Sequence, residues 1–189
     1  HDTTMGEARE EFKFEDLIDP DEWVATQGRI ARGCKMAAHT FDRQGVNVVP
    51  ASNYTSYVNL VQSTDSGAKL CRQSLVEAAN KADEMRGAWV YVCRCNLVKV
   101  SVPCFVGRYR LCSVGGGQVA EAELSPSKVK ELATEITVDP KALAEYASEV
   151  QVRDRADVQA IGDLLFDVAN RLVSQAVANR RQTQQVEEM

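Results

Sequence analysis

The sequence AWVYVCRCNLVKVSVPCFVGRYRLCSV, residues 88–114, decides the fold of this chain. It holds three runs rich in Val, Trp, Tyr and Phe, which are separated by turn residues and therefore predict three successive β-strands. In the middle run, Lys99 and Ser101 alternate with Val98 and Val100, so one face of this strand is apolar and the other is mixed. The strands are expected at residues 88–93, 97–106 and 110–114.

Two further strands are expected upstream of this segment. The runs 36–41 and 46–50 flank Asp42-Arg43-Gln44-Gly45, a composition typical of a hairpin turn. Together the five strands form one antiparallel sheet, and the glycines of Gly115-Gly116-Gly117-Gln118 are expected to close it tightly. No lysine-bearing phosphate loop or dinucleotide-binding pattern surrounds these glycines.

The remainder of the chain is predicted to be helical. Asp19, Ser125 and Asp139 are suited to cap helices, and each precedes a proline at the first helical position. The helices are expected at about residues 20–32, 54–62, 68–85, 126–136, 140–148 and 154–185. The fold class is therefore α+β: a central antiparallel five-stranded sheet flanked by helices, followed by a long C-terminal helix.

The long C-terminal helix carries an apolar seam. Val158, Ile161, Leu165, Val168 and Leu172 recur at spacings of three and four, as in a coiled coil, and the segment beyond them turns polar. This pattern predicts a helix that packs on its own domain first and then projects from it. We expect it to support a homodimer and to lead to a downstream output domain.

Composition restricts the function classes. The chain has 189 residues, of which 44% are hydrophobic, and this suits a single domain with one full core. Its formal net charge of −5 argues against direct binding to nucleic acid or to an anionic membrane. No run approaches the roughly 20 apolar residues of a membrane-spanning helix. Residues 1–4 resemble a remnant of an expression vector, and we expect the domain to be cytoplasmic.

Six cysteines are the unusual feature of the composition. Because the sequence shows no export signal, they are interpreted as reduced thiols rather than as a disulfide framework. They would fill gaps in the packing, line a ligand cavity, or ligate zinc or an iron–sulfur cluster. The candidate metal-ligating set comprises Cys71, Cys93, Cys95, Cys104 and Cys112. Its spacings do not match a Cys-x-x-Cys knuckle, so no cofactor is expected and the metal site is an alternative.

The sequence offers no catalytic pattern. No Cys–His pair and no Ser–His–Asp triad can be assembled around His39. An enzymatic function is therefore not expected.

Three stretches occur in an order that is characteristic of one family. They are VQSTDSGAKLCRQS at 61–74, VYVC at 90–93, and LVKVSVP at 97–103 followed by GGGQV at 115–119. They resemble the PocR sensory domain, a family named for a bacterial regulator of propanediol use, over about residues 14–173. The resemblance implies a PAS/GAF-like sensor that has a small-molecule pocket between the sheet and the helices and no catalytic activity.

The resemblance also implies which residues bind the ligand. Where the family commonly reads Cys-His-Ala-Gly-Leu, this chain reads Cys93-Arg94-Cys95-Asn96-Leu97, so that a fixed cation replaces a neutral ring. This substitution favours a carboxylate or phosphate, and we expect the stabilising effect of a ligand to be lost in Arg94→Ala. The expected ligand-binding set is Cys71, Trp89, Tyr91, Cys93, Arg94 and Gln118.

These observations lead to one preferred functional hypothesis and one alternative. We expect residues 14–153 to form a sensor core and residues 154–189 a signalling helix that is continuous with it. The domain would bind a short diol, alcohol or carboxylate as the input of a bacterial signal-transduction or transcription-regulatory protein, such as a histidine kinase. The alternative is a cysteine-based redox sensor or a zinc or iron–sulfur sensor.

Overall fold

The computed structural model describes residues 12–189, so the expectation about residues 1–4 lies outside the described residues. The α+β class, the antiparallel sheet and the long C-terminal helix are confirmed. The helices are α1 (Phe14–Leu17), α2 (Pro20–Cys34), α3 (Ser56–Val61), α4 (Asp65–Met85), α5 (Pro126–Ile136), α6 (Pro140–Glu149) and α7 (Arg155–Glu187). The strands are β1 (Ala37–Phe41), β2 (Trp89–Val92), β3 (Val98–Val106) and β4 (Tyr109–Val119).

The sheet has four antiparallel strands in the order β1-β4-β3-β2, not five. The expected strand at 46–50 forms a loop instead, joined to β1 by isolated bridges at Asn47 and Ser52. The side chain of Asp42 accepts hydrogen bonds from two backbone N–H groups of the following turn. Pro50 has no N–H with which to continue a ladder, so regular pairing stops between the two bridges.

The prediction that the glycine run closes the sheet is also wrong. Gly115, Gly116 and Gly117 lie inside β4, paired with β1 on one side and β3 on the other. A Cβ atom at Gly115 would overlap the imidazole of His39, and one at Gly117 would come within 2.6 Å of the Val98 carbonyl oxygen. The glycines therefore allow close packing over a central strand and do not form a turn.

Helix α4 begins at Asp65, three residues before the expected start at Ala68. Thr64 caps it, because its Oγ1 accepts a hydrogen bond from the Gly67 N–H at 3.1 Å. A Cβ atom at Gly67 would overlap the carbonyl oxygen of Val61, so this glycine permits the tight passage from α3 to α4. The short helix α1 was not predicted, because a single turn shows no periodicity.

The sheet has two unlike faces. The face that carries Val98, Val100 and Val102, here called the apolar face, packs against α2 and α7. The face that carries Lys99 and Ser101, here called the polar face, is covered by α4, with α3, α5 and α6 in a second core beyond it. The alternation predicted for β3 is thus confirmed, with both faces covered.

Candidate ligand-binding site

A cavity of about 200 Å³ lies between the polar face of the sheet, α4 and the loop that follows β1. Its polar lining comprises His39, Asn47, Tyr54, Gln62, Arg72 and Lys99. Its other lining residues are Gly45, Val46, Ala68, Cys71 and Leu75. Among the described residues that line the cavity there is no aspartate or glutamate.

Three larger hollows lie elsewhere in the molecule. A groove of about 730 Å³ runs between α1, α2 and α7, one of about 540 Å³ lies along α7, and one of about 290 Å³ lies beside Gln118 and Tyr146. Their lining includes no buried ionisable residue. The smaller cavity has three, His39, Cys71 and Lys99, and unusual ionisable groups in a concave site are a mark of function, so it is the better candidate.

Lys99 places an ammonium group beside this cavity. It lies in the middle of the sheet, opposite Tyr91 of β2 and Gly117 of β4, and the residue is only 7% exposed. Within residues 12–189 its side chain forms no hydrogen bond and no salt bridge. A Cβ atom at Gly117 would lie 2.8 Å from the Lys99 Cα atom, so this glycine lets β4 approach the strand that carries Lys99.

Arg110, a second deeply buried cation, shows how this fold normally satisfies such a charge. Its guanidinium group donates to the carbonyl oxygen of Ala79 at 2.6 Å and to Asn80 Oδ1 at 3.1 Å. It also lies 3.3 Å from a carboxylate oxygen of Asp83. Among the described residues, the Lys99 ammonium group has no carbonyl, amide or carboxylate oxygen as a hydrogen-bond or salt-bridge partner. Its charge therefore faces the cavity.

His39 is the neutral member of the cavity wall. It stacks on Phe41 with ring centroids 5.0 Å apart, and its Nδ1 lies 3.2 Å from Asn47 Oδ1. Burial, assisted by the positive charge of Lys99, lowers the pKa of His39 to about 4. At neutral pH the imidazole therefore offers hydrogen bonding without adding a second buried charge.

Three buried thiols adjoin the cavity. The Sγ atoms of Cys71 and Cys95 lie 3.9 Å apart, and Cys93 begins the turn that contains Cys95. A hydrogen bond from Cys95 lowers the pKa of Cys71 to about 7 and that of Cys93 to about 5, against the effect of burial and with the help of the Lys99 charge. The pKa of Cys95, the donor, is raised by the same hydrogen bonds.

The charge of Lys99 is coupled to these thiols. Burial by itself disfavours the ammonium form, but the neighbouring thiols and Tyr91 outweigh burial and raise the pKa of Lys99. Burial also raises the pKa of Tyr91, so its phenol is neutral. The site thus combines a charged lysine, a neutral histidine, neutral phenols and thiols of lowered pKa.

The structure brings together three of the six residues that the sequence singled out for the ligand. Cys71 lines the cavity, Cys93 lies in the same thiol cluster, and Tyr91 pairs across the sheet with Lys99. Sequence reasoning missed His39, Asn47, Tyr54, Gln62 and Lys99. The sequence does contain a pattern that indicates Lys99. This lysine alternates with valines in a strand that is expected to lie between helices, so its side chain cannot extend into solvent.

The other three predicted residues do not line this cavity. The Arg94 guanidinium group is half exposed, 3.1 Å from Glu77 Oε1, because the β2–β3 turn directs it toward the outer surface of α4. Trp89 packs under the ammonium group of Lys81, 5.5 Å from the ring centroid. Gln118 Oε1 accepts hydrogen bonds from the N–H and hydroxyl of Thr55, which begins α3.

The sheet also separates the five cysteines of the metal alternative. Cys71, Cys93 and Cys95 lie on the polar side, whereas Cys104 and Cys112 are paired across β3 and β4 on the apolar face. A single site cannot use both groups through a packed sheet. Within residues 12–189, no group of three or more His, Cys, Asp or Glu side chains is arranged to hold a metal ion.

Comparison with known proteins identifies the family of this chain. The family model described as the sensory domain found in PocR matches residues 16–177. The chain belongs to the PocR sensory-domain family. Curated proteins give no significant match to this PocR domain. Among solved structures, the GAF domain/HD domain protein from Geobacter sulfurreducens is similar, with 13% identity and a TM-score of 0.36, over 79% of this chain and 98% of that chain.

The turn between β2 and β3 contains a residue in an unusual backbone conformation. Asn96 adopts a left-handed conformation with φ of 68°. The backbone N–H of Arg94 donates to Ser74 Oγ at 3.1 Å, which ties the turn to α4. Within residues 12–189 of the PocR domain, no helix is long and apolar enough to cross a membrane.

Proposed function

We propose that this PocR domain is the ligand-sensing input domain of a bacterial signalling or transcription-regulatory protein in the cytoplasm. It binds a small organic molecule, namely a short diol, alcohol or carboxylate, in the cavity beside Lys99. The cavity itself carries the proposal: it measures about 200 Å³ and is lined by both hydrogen-bonding and apolar side chains. Pockets for drug-sized ligands span roughly 300–1,000 Å³, so this size supports a smaller occupant.

The strand that carries Lys99 supports a route from the cavity to the C-terminal helix. Val98 and Val100 flank Lys99 and point to the apolar face. Helix α7 packs so closely there that a Cβ atom at Gly162 would lie 2.6 Å from Val100 Cγ2. Because close-packed interiors transmit small displacements, a shift of β3 on ligand binding changes the packing of α7. Its extent depends on how differently the ligand binds the two arrangements.

Helix α7 is proposed to pair with its counterpart in a homodimer and to connect to an output domain. Val177 is its last buried residue, and the helix continues to Glu187. Leu164 and Leu172, two helical turns apart on one face, are 56% and 42% exposed. Sedimentation at high concentration tests this part. A monomer, both for this chain and for one extended toward the output domain, contradicts it.

Thermal-shift titration with 1,2-propanediol, 1-propanol and propionate tests ligand binding in the cavity. Ala68→Leu adds bulk to the cavity lining, and Ala144→Leu adds the same bulk at an exposed position of α6. We expect at least one probe to raise the melting temperature of the wild type and of Ala144→Leu. The same probe is expected to lose its effect in Ala68→Leu, because the added side chain occupies its space.

Two results would contradict the ligand-sensing proposal. One is the absence of stabilisation by all three probes, together with a native mass spectrum that shows no bound small molecule. The other is equal stabilisation of the wild type and Ala68→Leu, which would locate binding outside the cavity.

A thiol redox sensor is the second candidate, favoured by the 3.9 Å separation of Cys71 Sγ and Cys95 Sγ. Oxidation by hydrogen peroxide would join the two sulfurs, and their two protons and two electrons would reduce the peroxide to two water molecules. Mass spectrometry after peroxide treatment tests it, with Cys95→Ser as the variant and Cys104→Ser as the control. A Cys71–Cys95 disulfide in the wild type and the control supports this candidate, and thiols that stay reduced contradict it.

A further inference from the structure

We propose that the ligand of this cavity is a short aliphatic carboxylate whose negative charge is bound by the Lys99 ammonium group. This inference rests on the proposed ligand-sensing function and specifies the chemistry of its ligand. Lys99 is 7% exposed, it lines the cavity, and within residues 12–189 its ammonium group has no hydrogen bond or salt bridge.

A buried ammonium group needs acceptors, because removal of a charge from water is costly unless it is paired and hydrogen-bonded. Arg110 meets this requirement within the protein, through Ala79, Asn80 and Asp83. Lys99 does not, and its three N–H donors remain available on the cavity side. A carboxylate placed in the cavity would supply both the missing charge and the missing acceptors.

The charge balance of the cavity also favours an anion. No aspartate or glutamate is among its described lining residues, and Arg72, an exposed residue of α4, adds a second cation to the lining. His39 is neutral at neutral pH. Against the effect of burial, Cys93 does most to raise the pKa of Lys99, but among the described residues no hydrogen bond joins its sulfur to the ammonium group.

The remaining lining selects a short aliphatic acid over a larger or fully polar anion. Val46, Ala68 and Leu75 offer apolar surface for an alkyl chain. Asn47 and Gln62 supply neutral amides that can hydrogen-bond to a carboxylate oxygen. A diol or alcohol would fill the same space but would bring no negative charge to the ammonium group.

Isothermal titration in a carboxylate-free buffer tests the inference with propionate, 1-propanol and 1,2-propanediol. These probes share a three-carbon skeleton and differ in charge. Lys99→Met keeps the length of the side chain and removes the charge, and Lys128→Met makes the same change at an exposed position of α5. Lys99→Gln serves as a second variant that retains a hydrogen-bond donor.

We expect wild type and Lys128→Met to bind propionate at least tenfold more tightly than either neutral probe. Lys99→Met and Lys99→Gln are expected to lose roughly 10- to 100-fold in propionate affinity, as for the loss of a hydrogen bond to a charged group. Their affinity for 1-propanol should be unchanged or higher.

Tighter binding of a neutral probe than of propionate, or unchanged propionate affinity in Lys99→Met, would overturn the carboxylate inference and leave the sensing function in place. The absence of binding by all three probes would contradict the sensing function itself, and the inference with it. A uniform loss of affinity for every probe in the Lys99 variants would also overturn the inference, because it indicates damage to the cavity rather than loss of a charge.

Discussion

The apolar and polar faces of the sheet are built from the same strands, yet one is filled and the other encloses a cavity. On the apolar face, valines and cysteines pack against α2 and α7, and a hollow of only about 30 Å³ remains beside Val114 and Leu165. On the polar face, Lys99 and His39 line a cavity of about 200 Å³. Because successive side chains of β3 point to opposite faces, one strand contributes both to the cavity and to the packed core.

A charged side chain on the apolar face should produce the largest effect on stability. Val100→Lys places an ammonium group on the apolar face, where α7 leaves no cavity and no acceptor. We expect a loss of about 4 kcal/mol or more in the free energy of unfolding, measured by urea denaturation. Lys99→Met is the matched control and should lose nothing or gain stability. A Val100→Lys variant as stable as the wild type would mean that the faces do not differ as described.

Acidification should weaken the polar face through His39. The unfolded chain binds a proton near pH 6.5, whereas the folded chain keeps His39 neutral to about pH 4. The unfolded state therefore holds more protons in this window, so stability is complete above it and is lost as the pH falls through it. The loss is roughly 3 kcal/mol. Urea denaturation across this range should show it in the wild type but not in His39→Gln; equal slopes would contradict the assignment.

Neighbouring glycines on opposite faces offer a third comparison. In Gly115→Ala the new methyl group overlaps the His39 ring, and we expect a cost of about 2 kcal/mol. In Gly116→Ala it meets the Met36 and Val100 side chains at 3.3 Å, where Met36 can move, so the cost should stay below about 1 kcal/mol. A double-mutant cycle with His39→Ala measures the coupling. An equal cost for Gly115→Ala with and without His39 would exclude this contact as the cause.

The smallest effect is expected at Arg94, which lies outside both faces. Its ion pair with Glu77 is exposed, and such pairs contribute little. Arg94→Ala should change the free energy of unfolding by less than about 0.5 kcal/mol and leave the affinity for propionate unaltered. Titration calorimetry on this variant checks the second statement. Loss of propionate binding would restore Arg94 as the anchor and displace Lys99 from that role.

Much of the fold follows from local pattern. The alternation of Lys99 and Ser101 with valines was sufficient to predict two unlike faces, and the Asp-Pro and Ser-Pro caps gave the helix starts. The failures lie where tertiary contacts decide the outcome. The glycines of β4 resemble a turn in sequence, but they are required by the His39 ring and by a neighbouring strand, which no local pattern reveals.

The candidate site was predictable only in part. Family resemblance predicts Cys71, Tyr91 and Cys93; of these, Cys71 lines the cavity, and the other two lie on the same side of the sheet. The sequence favours Arg94 because its charge is prominent in the motif, but a turn directs its side chain to solvent. Lys99 was the more informative cation, because a charge inside a strand that is covered on both faces has to be explained by what lies next to it.

The central claim is that the cavity on the polar face binds a small carboxylate at Lys99. A crystal structure of the protein grown with propionate tests it most directly. The account predicts density for propionate in the cavity, with a carboxylate oxygen within hydrogen-bond distance of Lys99 Nζ and the alkyl chain toward Leu75. Propionate bound elsewhere, with the cavity holding only water or closed by its own side chains, would contradict the account.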